Sequence, residues 1–351
     1  MALRAIEGFD WCASLATLGA GKKFRTIGSS SDITLTAGRL GGKCLNLARS
    51  SFGSLGVAVL FDQAVTSGTV HMGVAIRVDS LENNERALFS LGSAGYPHMT
   101  VSVNGAGYVE IREFDSNAPV ATSVTHFLQL GQWYFIEVSM PVAGTGTMQV
   151  FVNNELAVAY YGNLLPNPDG PAAISEVHFG CAKSGRENTQ ASYDDFYALD
   201  ETGSEANSRL GDSRIEWRPP TADEELDFAI EGAEVTGYES VDDATGHDGD
   251  VTAISSATTG HRAVFSSGAG LSTVPRKIHG VSILHVSRKE GADAKSQKVV
   301  LSSGATEVAG TSRSLLDTYA ANDDLFAVDP NTGIEWTVGG ITASKFGVEV
   351  T

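Results

Sequence analysis

The stretch Val70-His71-Met72-Gly73-Val74-Ala75-Ile76-Arg77-Val78 decides the fold. Its apolar residues Val70, Met72, Val74, Ile76 and Val78 recur at every second position, and an extended backbone puts all five on one face. Further along, Met99–Val103 alternates again and ends at Asn104-Gly105, a hairpin signal because both residues tolerate positive φ. Tyr108–Arg112 is the return strand. Gly131–Val138 opens on a glycine, and Met148–Val152 turns at Asn153-Asn154 into Leu156–Tyr161. Val177–Gly180 and Phe196–Leu199 complete the set. Strands at this spacing, with turns between them, predict an antiparallel all-β sandwich or jelly roll.

Composition agrees. The chain has 39 glycines against 10 prolines and shows no extended helical periodicity. Its 351 residues suffice for two domains, and 42% hydrophobic content excludes a mostly disordered chain. Lys and Arg total 24 against 42 Asp and Glu, a net charge of −18. That balance argues against nucleic acid and anionic membrane surfaces as main partners. No apolar run approaches the length of a membrane span, so no membrane insertion is expected. The first residues lack a signal-peptide layout, and the expectation is a chain made in the cytoplasm with free thiols. Cys12, Cys44 and Cys181 lie too far apart for a zinc cluster of close spacing and read as small core residues.

Composition shifts near residue 200. The polar run Glu201–Ser208 reads as a connector, and Trp217-Arg218-Pro219-Pro220 breaks regular structure. The acidic stretch from Asp223 to Asp250 reads as solvated loops. Val281, Ile283 and His285 then alternate on one face, and residues 297–301, 325–328 and 346–350 are further strand candidates. The expected organisation is a jelly-roll domain over 1–200, a linker over 201–210 and a smaller β-sandwich domain over 211–351.

Several stretches of the first domain carry a resemblance. Glu7-Gly8-Phe9-Asp10, Gly38–Leu45, Gly131-Gln132-Trp133-Tyr134, the hairpin at Asn153-Asn154 and Tyr193–Asp200 resemble the concanavalin A-like, laminin-G-like jelly roll. In the second half, Leu210–Ile215, Asp248–Thr252 and Asp329–Trp336 resemble tailed-bacteriophage virion structural proteins. The resemblance implies a non-enzymatic structural component of a phage virion, associated with the tail, tail fibre or baseplate. It also implies other virion proteins as partners and the virion as location. A capsid decoration protein and a polysaccharide depolymerase are the rival readings.

Glycosidases of this jelly roll carry paired carboxylates on alternate positions of one strand. Glu113-Phe114-Asp115 is the nearest match, and Ser116-Asn117-Ala118 follows where a second glutamate is needed. No catalytic residue is therefore assigned and no enzyme activity is expected. No Gly-x-Ser-x-Gly elbow, phosphate loop or dinucleotide fingerprint is present. Host-surface carbohydrate is the expected ligand class. Its candidate contacts are the loop residues Tyr96, His98, Asn167, Asp169, Arg186 and Asn188, because loops carry function more often than strands. No cofactor is required. Calcium is the one ion the pattern suggests, at Asp242, Asp248 and Asp250 beside Asp243 and His247, although the twelve-residue calcium-loop spacing fails at Ala253. Asp194-Asp195 is a second calcium candidate, weighed against ordinary strand-edge polarity. His71 and His285 read as structural histidines. Exposed sheet edges predict a homo-oligomer.

Overall fold

The computed structural model describes residues 3–11, 23–27, 32–48, 55–81, 85–113, 116, 118–125, 127–181, 189–243, 247–268 and 270–351. The chain is all-β, as the alternation predicts, and divides into two compact units. The first comprises residues 1–10 and 23–215; the second comprises 11–22 and 216–351.

The first unit has fifteen strands in two sheets. They are β1 (Leu3–Glu7), β2 (Phe24–Ile27), β3 (Ile33–Ala37), β4 (Lys43–Ala48), β5 (Leu55–Val65), β6 (Thr69–Leu81), β7 (Glu85–Ser93) and β8 (Tyr96–Asn104). Then come β9 (Val109–Glu113), β10 (Ala121–Thr122), β11 (Trp133–Pro141), β12 (Gly146–Val152), β13 (Glu155–Gly162), β14 (Ile174–Cys181) and β15 (Thr189–Asp200). Sheet A runs β13-β12-β11-β6-β15-β4-β3, with β1 also on β15; sheet B runs β10-β9-β8-β7-β14-β5-β2. The two hairpins read at Asn104-Gly105 and Asn153-Asn154 are present, and both Asn153 and Asn154 take positive φ.

The inner faces form one core. Val70, Met72, Val74, Ile76 and Val78 are all buried, opposite Met140, Val138 and Ile136 of β11. Aromatic rings tie the sheets together: Phe179 of sheet B lies 4.9 Å from Tyr193 and 5.2 Å from Phe196 of sheet A, centroid to centroid. The Tyr193 hydroxyl donates to the Leu88 carbonyl across the sandwich. A bulge in β15 makes this geometry work. Asp194 pairs with Ala75 and Tyr197 with Gly73, so two residues face one partner position, and Asp195 takes φ 50°. Phe196 thereby enters the core while Tyr197 turns to the outer face.

Gly73 is required by that outer face. A Cβ there would meet the Tyr197 ring and come within 2.7 Å of Phe135, two rings that stack with centroids 6.2 Å apart. Gly73→Ala is expected to lower the unfolding free energy by about 1–3 kcal/mol, because both rings must leave their packed positions. Urea denaturation of the variant checks this, and an unchanged midpoint would show that the rings yield freely.

Residues 201–215, which include the expected linker, run within the first unit. Arg209, Leu210 and Gly211 bond to Glu137 and Tyr197 on the outer face of sheet A. Asp212 pairs with Arg39, and the Ile215 N–H donates to Asp195.

The second unit contains a six-stranded antiparallel sheet. Its strands Ala222–Leu226, Arg262–Ser266, Lys345–Val350, Ser296–Ser303 and Thr306–Ala309 follow in that order, and Arg313–Ser314 also pairs with Ser296–Ser303. The ladder Val281–Ser287 with Ala320–Phe326 packs on it through Ile283, Val299, Leu301 and Trp336. Part of the acidic stretch is strand rather than loop: Ala222–Leu226 and Ala229–Glu231 both pair. Their acidic side chains face outward, so charge and strand structure coexist. His285 is half-buried, with Nδ1 near Ser287 Oγ and Gln297 Nε2, and desolvation lowers its pKa to about 4. His71 likewise meets Ser139 Oγ at 2.8 Å. Both are structural, as read.

Candidate functional site

Strand alternation that buries one face of sheet B must turn every other side chain outward. On the outer face this produces a row across six strands. Arg112 of β9 lies opposite Thr100, Thr100 opposite Ser90, Ser90 opposite His178, His178 opposite Ala58, and Ala58 opposite Arg25 of β2. At about 4.8 Å per strand the row is roughly 24 Å long. An arginine stands at each end, with hydroxyls and an imidazole between.

Glu176 stands beside His178 on β14 and organises one half. His178 Nε2 lies 3.0 Å from Glu176 Oε1, and Arg25 donates to Glu176 Oε2 at 2.6 Å. The Gly95 N–H also donates to Glu176 Oε1. Burial alone would raise the Glu176 pKa. The bonds from His178 and Gly95, the His178 charge and the Arg25 bond outweigh that and hold it at about 2. The carboxylate therefore stays ionised and orients the ring through Nε2–H. His178 Nδ1 is buried and has no hydrogen-bond partner. When neutral, an imidazole so held presents the Nδ1 lone pair as a proton acceptor, and the His178 side chain is 1% exposed. The Arg25 side chain is 39% exposed and is the part of this group that solvent reaches.

In the other half, Arg112 donates to Glu110 Oε2 at 2.5 Å and to Ser102 Oγ at 3.1 Å. Asn104 donates to Glu110 Oε1, and Ser90 and Thr100 hydroxyls lie 2.8 Å apart. Each arginine has its own carboxylate, so the row is close to neutral despite the chain's acidity.

Two expected ligand contacts lie near this row. Tyr96 and His98 are on β8, where a bulge opposite Leu91–Gly92 interrupts the alternation, and both approach Gly170. The loop over Pro166–Pro171 borders them: His98 Nε2 is 2.9 Å from the Pro171 carbonyl, and Asn167 donates to the Pro97 carbonyl. His98 and Asn167 are buried, whereas Tyr96 and Asp169 are exposed. Burial lowers the His98 pKa against the opposing pull of the Pro171 bond. Asn167 thus holds the loop, and Tyr96 with Asp169 forms the reachable rim. Arg186 and Asn188 lie outside the described residues.

Other expected groups do not converge. Glu113 accepts from the Tyr160 hydroxyl, and Phe114 and Asp115 lie outside the described residues. Asp248 accepts from the Thr252 N–H and hydroxyl, and Asp250 accepts from Tyr319 and Arg288. Asp242 is half-buried with a raised pKa, from burial and then the Glu239 charge. Two of the three expected calcium carboxylates are thus committed within the protein. Asp194 accepts from the Arg39 and Asp195 N–H groups, and Asp195 accepts from Ile215. Among the described residues no three His, Cys, Asp or Glu side chains form a group that could hold a metal ion, so no step is routed through calcium. Among the described residues, too, no helix is long and apolar enough to cross a membrane.

The His178–Glu176–Arg25 group escapes a sequence reading because Arg25 and Glu176 are 151 residues apart. The signal available was local. Glu176 and His178 alternate with Val177 and Phe179, which places two ionisable side chains on one strand face.

No family model matches the chain, and no curated protein matches it. Solved structures do. A cellulose-induced protein matches over 60% of this chain and 100% of its own, at 14% identity and TM-score 0.38. An alginate lyase in complex with alginate trisaccharide matches over 56% and 98%, at 12% identity and TM-score 0.39. An endo-β-1,4-glucuronan lyase from the fungus Trichoderma reesei matches over 51% and 93%, at 10% identity and TM-score 0.36. The likeness is one of backbone. Against the expectation of a non-enzymatic virion component, two of these three are named as polysaccharide lyases and none as a phage protein, so that expectation is corrected and not carried further. The physical reason for the correction lies in sheet B. The paired-carboxylate test discounted enzyme chemistry, but an oriented imidazole base needs no second carboxylate.

Proposed function

We propose that the first unit acts on a polysaccharide containing uronate units and cleaves it by elimination. The carrying observation is the His178–Glu176 pair, with Nε2 held at 3.0 Å and Nδ1 without a partner. Hydrolysis by paired carboxyls needs one of them protonated at working pH. Glu176, the carboxylate beside His178, is held ionised and does not supply that acid.

Elimination asks for something different. A base removes the proton on the carbon next to the uronate carboxylate. The electron pair forms a carbon–carbon double bond, the glycosidic C–O bond at the next position breaks, and the departing oxygen takes up a proton. His178 Nδ1 is the base, oriented by Glu176. Arg25, open to solvent on one side, receives the substrate carboxylate and stabilises the charge that builds up on it. The alginate and glucuronan lyases named above act on such polymers, which makes these the first substrates to offer.

The test incubates the full chain with alginate, glucuronan and a neutral glucan. It follows reducing ends together with the ultraviolet absorbance of an unsaturated uronate end. Both signals should rise with a uronate polymer, and His178→Ala should lower the rate at least about 100-fold with folding unchanged. Reducing ends without the absorbance would mean hydrolysis and would sink the elimination reading. No product from any uronate polymer would sink the assignment.

A further inference from the structure

The outer edge of sheet A carries a feature the polysaccharide reading does not use. Between Glu137 and Asp169 the chain has one charged residue, Glu155, although 19% of all residues are charged. This stretch forms the end of β11, all of β12 and β13, and the loop that follows. Among the described strands β13 forms a ladder with β12 alone, and although β9 and β10 of sheet B lie close to it they make no ladder with it. Its outward side chains are apolar: Leu156 is 51% exposed and Tyr161 74%. The apolar strip ends at Phe151, opposite Leu156, where the Arg209 guanidinium lies 3.5 Å over the ring.

Edge strands of monomers are usually blunted with lysine, proline or an inward charge. From Leu156 to Gly162 this strand has none of these. The single bulge, between Val150 and Phe151, leaves the pairing regular from Val158 onward. Charge selects the occupant. A chain of net charge −18 repels its own copies, and two copies can meet closely only where acidic side chains are missing.

We infer that the β13 edge is the surface through which two copies of this chain join. Antiparallel pairing about a two-fold axis at Tyr160 sets Ala159 of each copy opposite Tyr161 of the other on the outer face. The contact is isologous and closed, so it stops at a dimer. The two eight-stranded sheets become one, and the exposed apolar edge is covered.

Sedimentation equilibrium of the full chain across the micromolar range tests this. The wild type should be a dimer. Tyr161→Lys sets a charge against Ala159 of the other copy and Ala159→Lys sets one against its Tyr161, so each should weaken dimerisation at least about tenfold, with circular dichroism unchanged. Thr34→Lys, on the opposite edge strand β3, should have no effect. Where a lysine perturbs folding, Tyr161→Ser removes the exposed ring and should still weaken the dimer. A monomeric wild type would overturn the inference, as would a dimer lost in Thr34→Lys and kept in the β13 variants.

Discussion

Replacing Glu137 with alanine is expected to lower the unfolding free energy by about 3–5 kcal/mol, a large share of what a domain of this kind possesses. Glu137 sits in the middle of β11 on the outer face of sheet A and is 1% exposed. Its Oε1 accepts from the Tyr197 hydroxyl at 2.5 Å and from the Gly211 N–H at 2.9 Å, and its Oε2 accepts from Arg209 at 2.8 Å. One carboxylate thus ties two neighbouring regions of the sheet to the 209–211 segment. Alanine leaves the hydroxyl and the guanidinium without their acceptor, and the buried donors then bear their full desolvation cost. Tyr197→Phe removes two bonds, the one to Glu137 and the one from the Leu210 N–H, but leaves the carboxylate with its other two, so a smaller loss of about 1–2 kcal/mol is expected. Glu137→Gln keeps the volume but turns an amide donor toward an N–H donor, and should resemble alanine more than wild type. Urea denaturation of the three variants gives the comparison. Limited proteolysis should also cut the 207–215 stretch sooner in the alanine variant. A loss below about 1 kcal/mol for alanine would mean that this segment contributes little to the stability of the first unit.

The contrast between Glu137 and the β6 alternation shows what a sequence can disclose. Val70, Met72, Val74, Ile76 and Val78 announce their face because burial of apolar side chains has a period of two, and that period is local. The same logic located both asparagine hairpins. Tyr96 and His98, read as loop residues, are instead on strand β8, and their approach to the loop over Pro166–Pro171 is a fact of the fold that the sequence reading did not contain. Glu137 and Glu176 obey the alternation too, but a carboxylate on the outer face of a strand reads as solvated. Whether it is instead buried among donors depends on residues 72 and 151 positions away, Arg209 and Arg25. The bulge at Asp194–Tyr197 was hidden for a similar reason. The pair Asp194-Asp195 between Tyr193 and Phe196 breaks the alternation, but adjacent aspartates read as edge polarity and give no local sign that one residue will be left over. The expected calcium carboxylates failed in the opposite sense: they are neighbours in sequence, and the fold gives Asp248 and Asp250 separate partners.

The second large effect is a loss of stability on raising the pH from 6.5 to 8. Asp194 and Asp195 are buried where the β15 bulge folds them under the Gly38–Arg39 turn and the Ile215 N–H. Burial, followed by the charge of Asp195, pushes Asp194 up to about 8. Burial also raises Asp195, and the bonds and charges from Ile215, Arg39 and Arg214 counter it, leaving about 6. In the unfolded chain both titrate near 3.8. Between the unfolded and folded values the native state holds a proton the unfolded chain has released. Each carboxyl therefore contributes most below about pH 4, and its contribution falls by about 1.4 kcal/mol per pH unit up to the folded value. The desolvated histidines oppose this at lower pH. His71, His98 and His285 have lowered values, so their contribution is lost as pH falls below 6.5 and is complete above it. Glu176, held at about 2, matters only in acid. From pH 6.5 to 8 Asp194 is left as the main titrating group, and stability should drop by about 2 kcal/mol. Asp194→Asn mimics the protonated side chain, keeps an acceptor for the Arg39 N–H, and should remove most of that slope. Urea midpoints at half-unit intervals decide the matter: a wild-type curve that is flat or rising over this range would mean that Asp194 is already ionised in the folded chain.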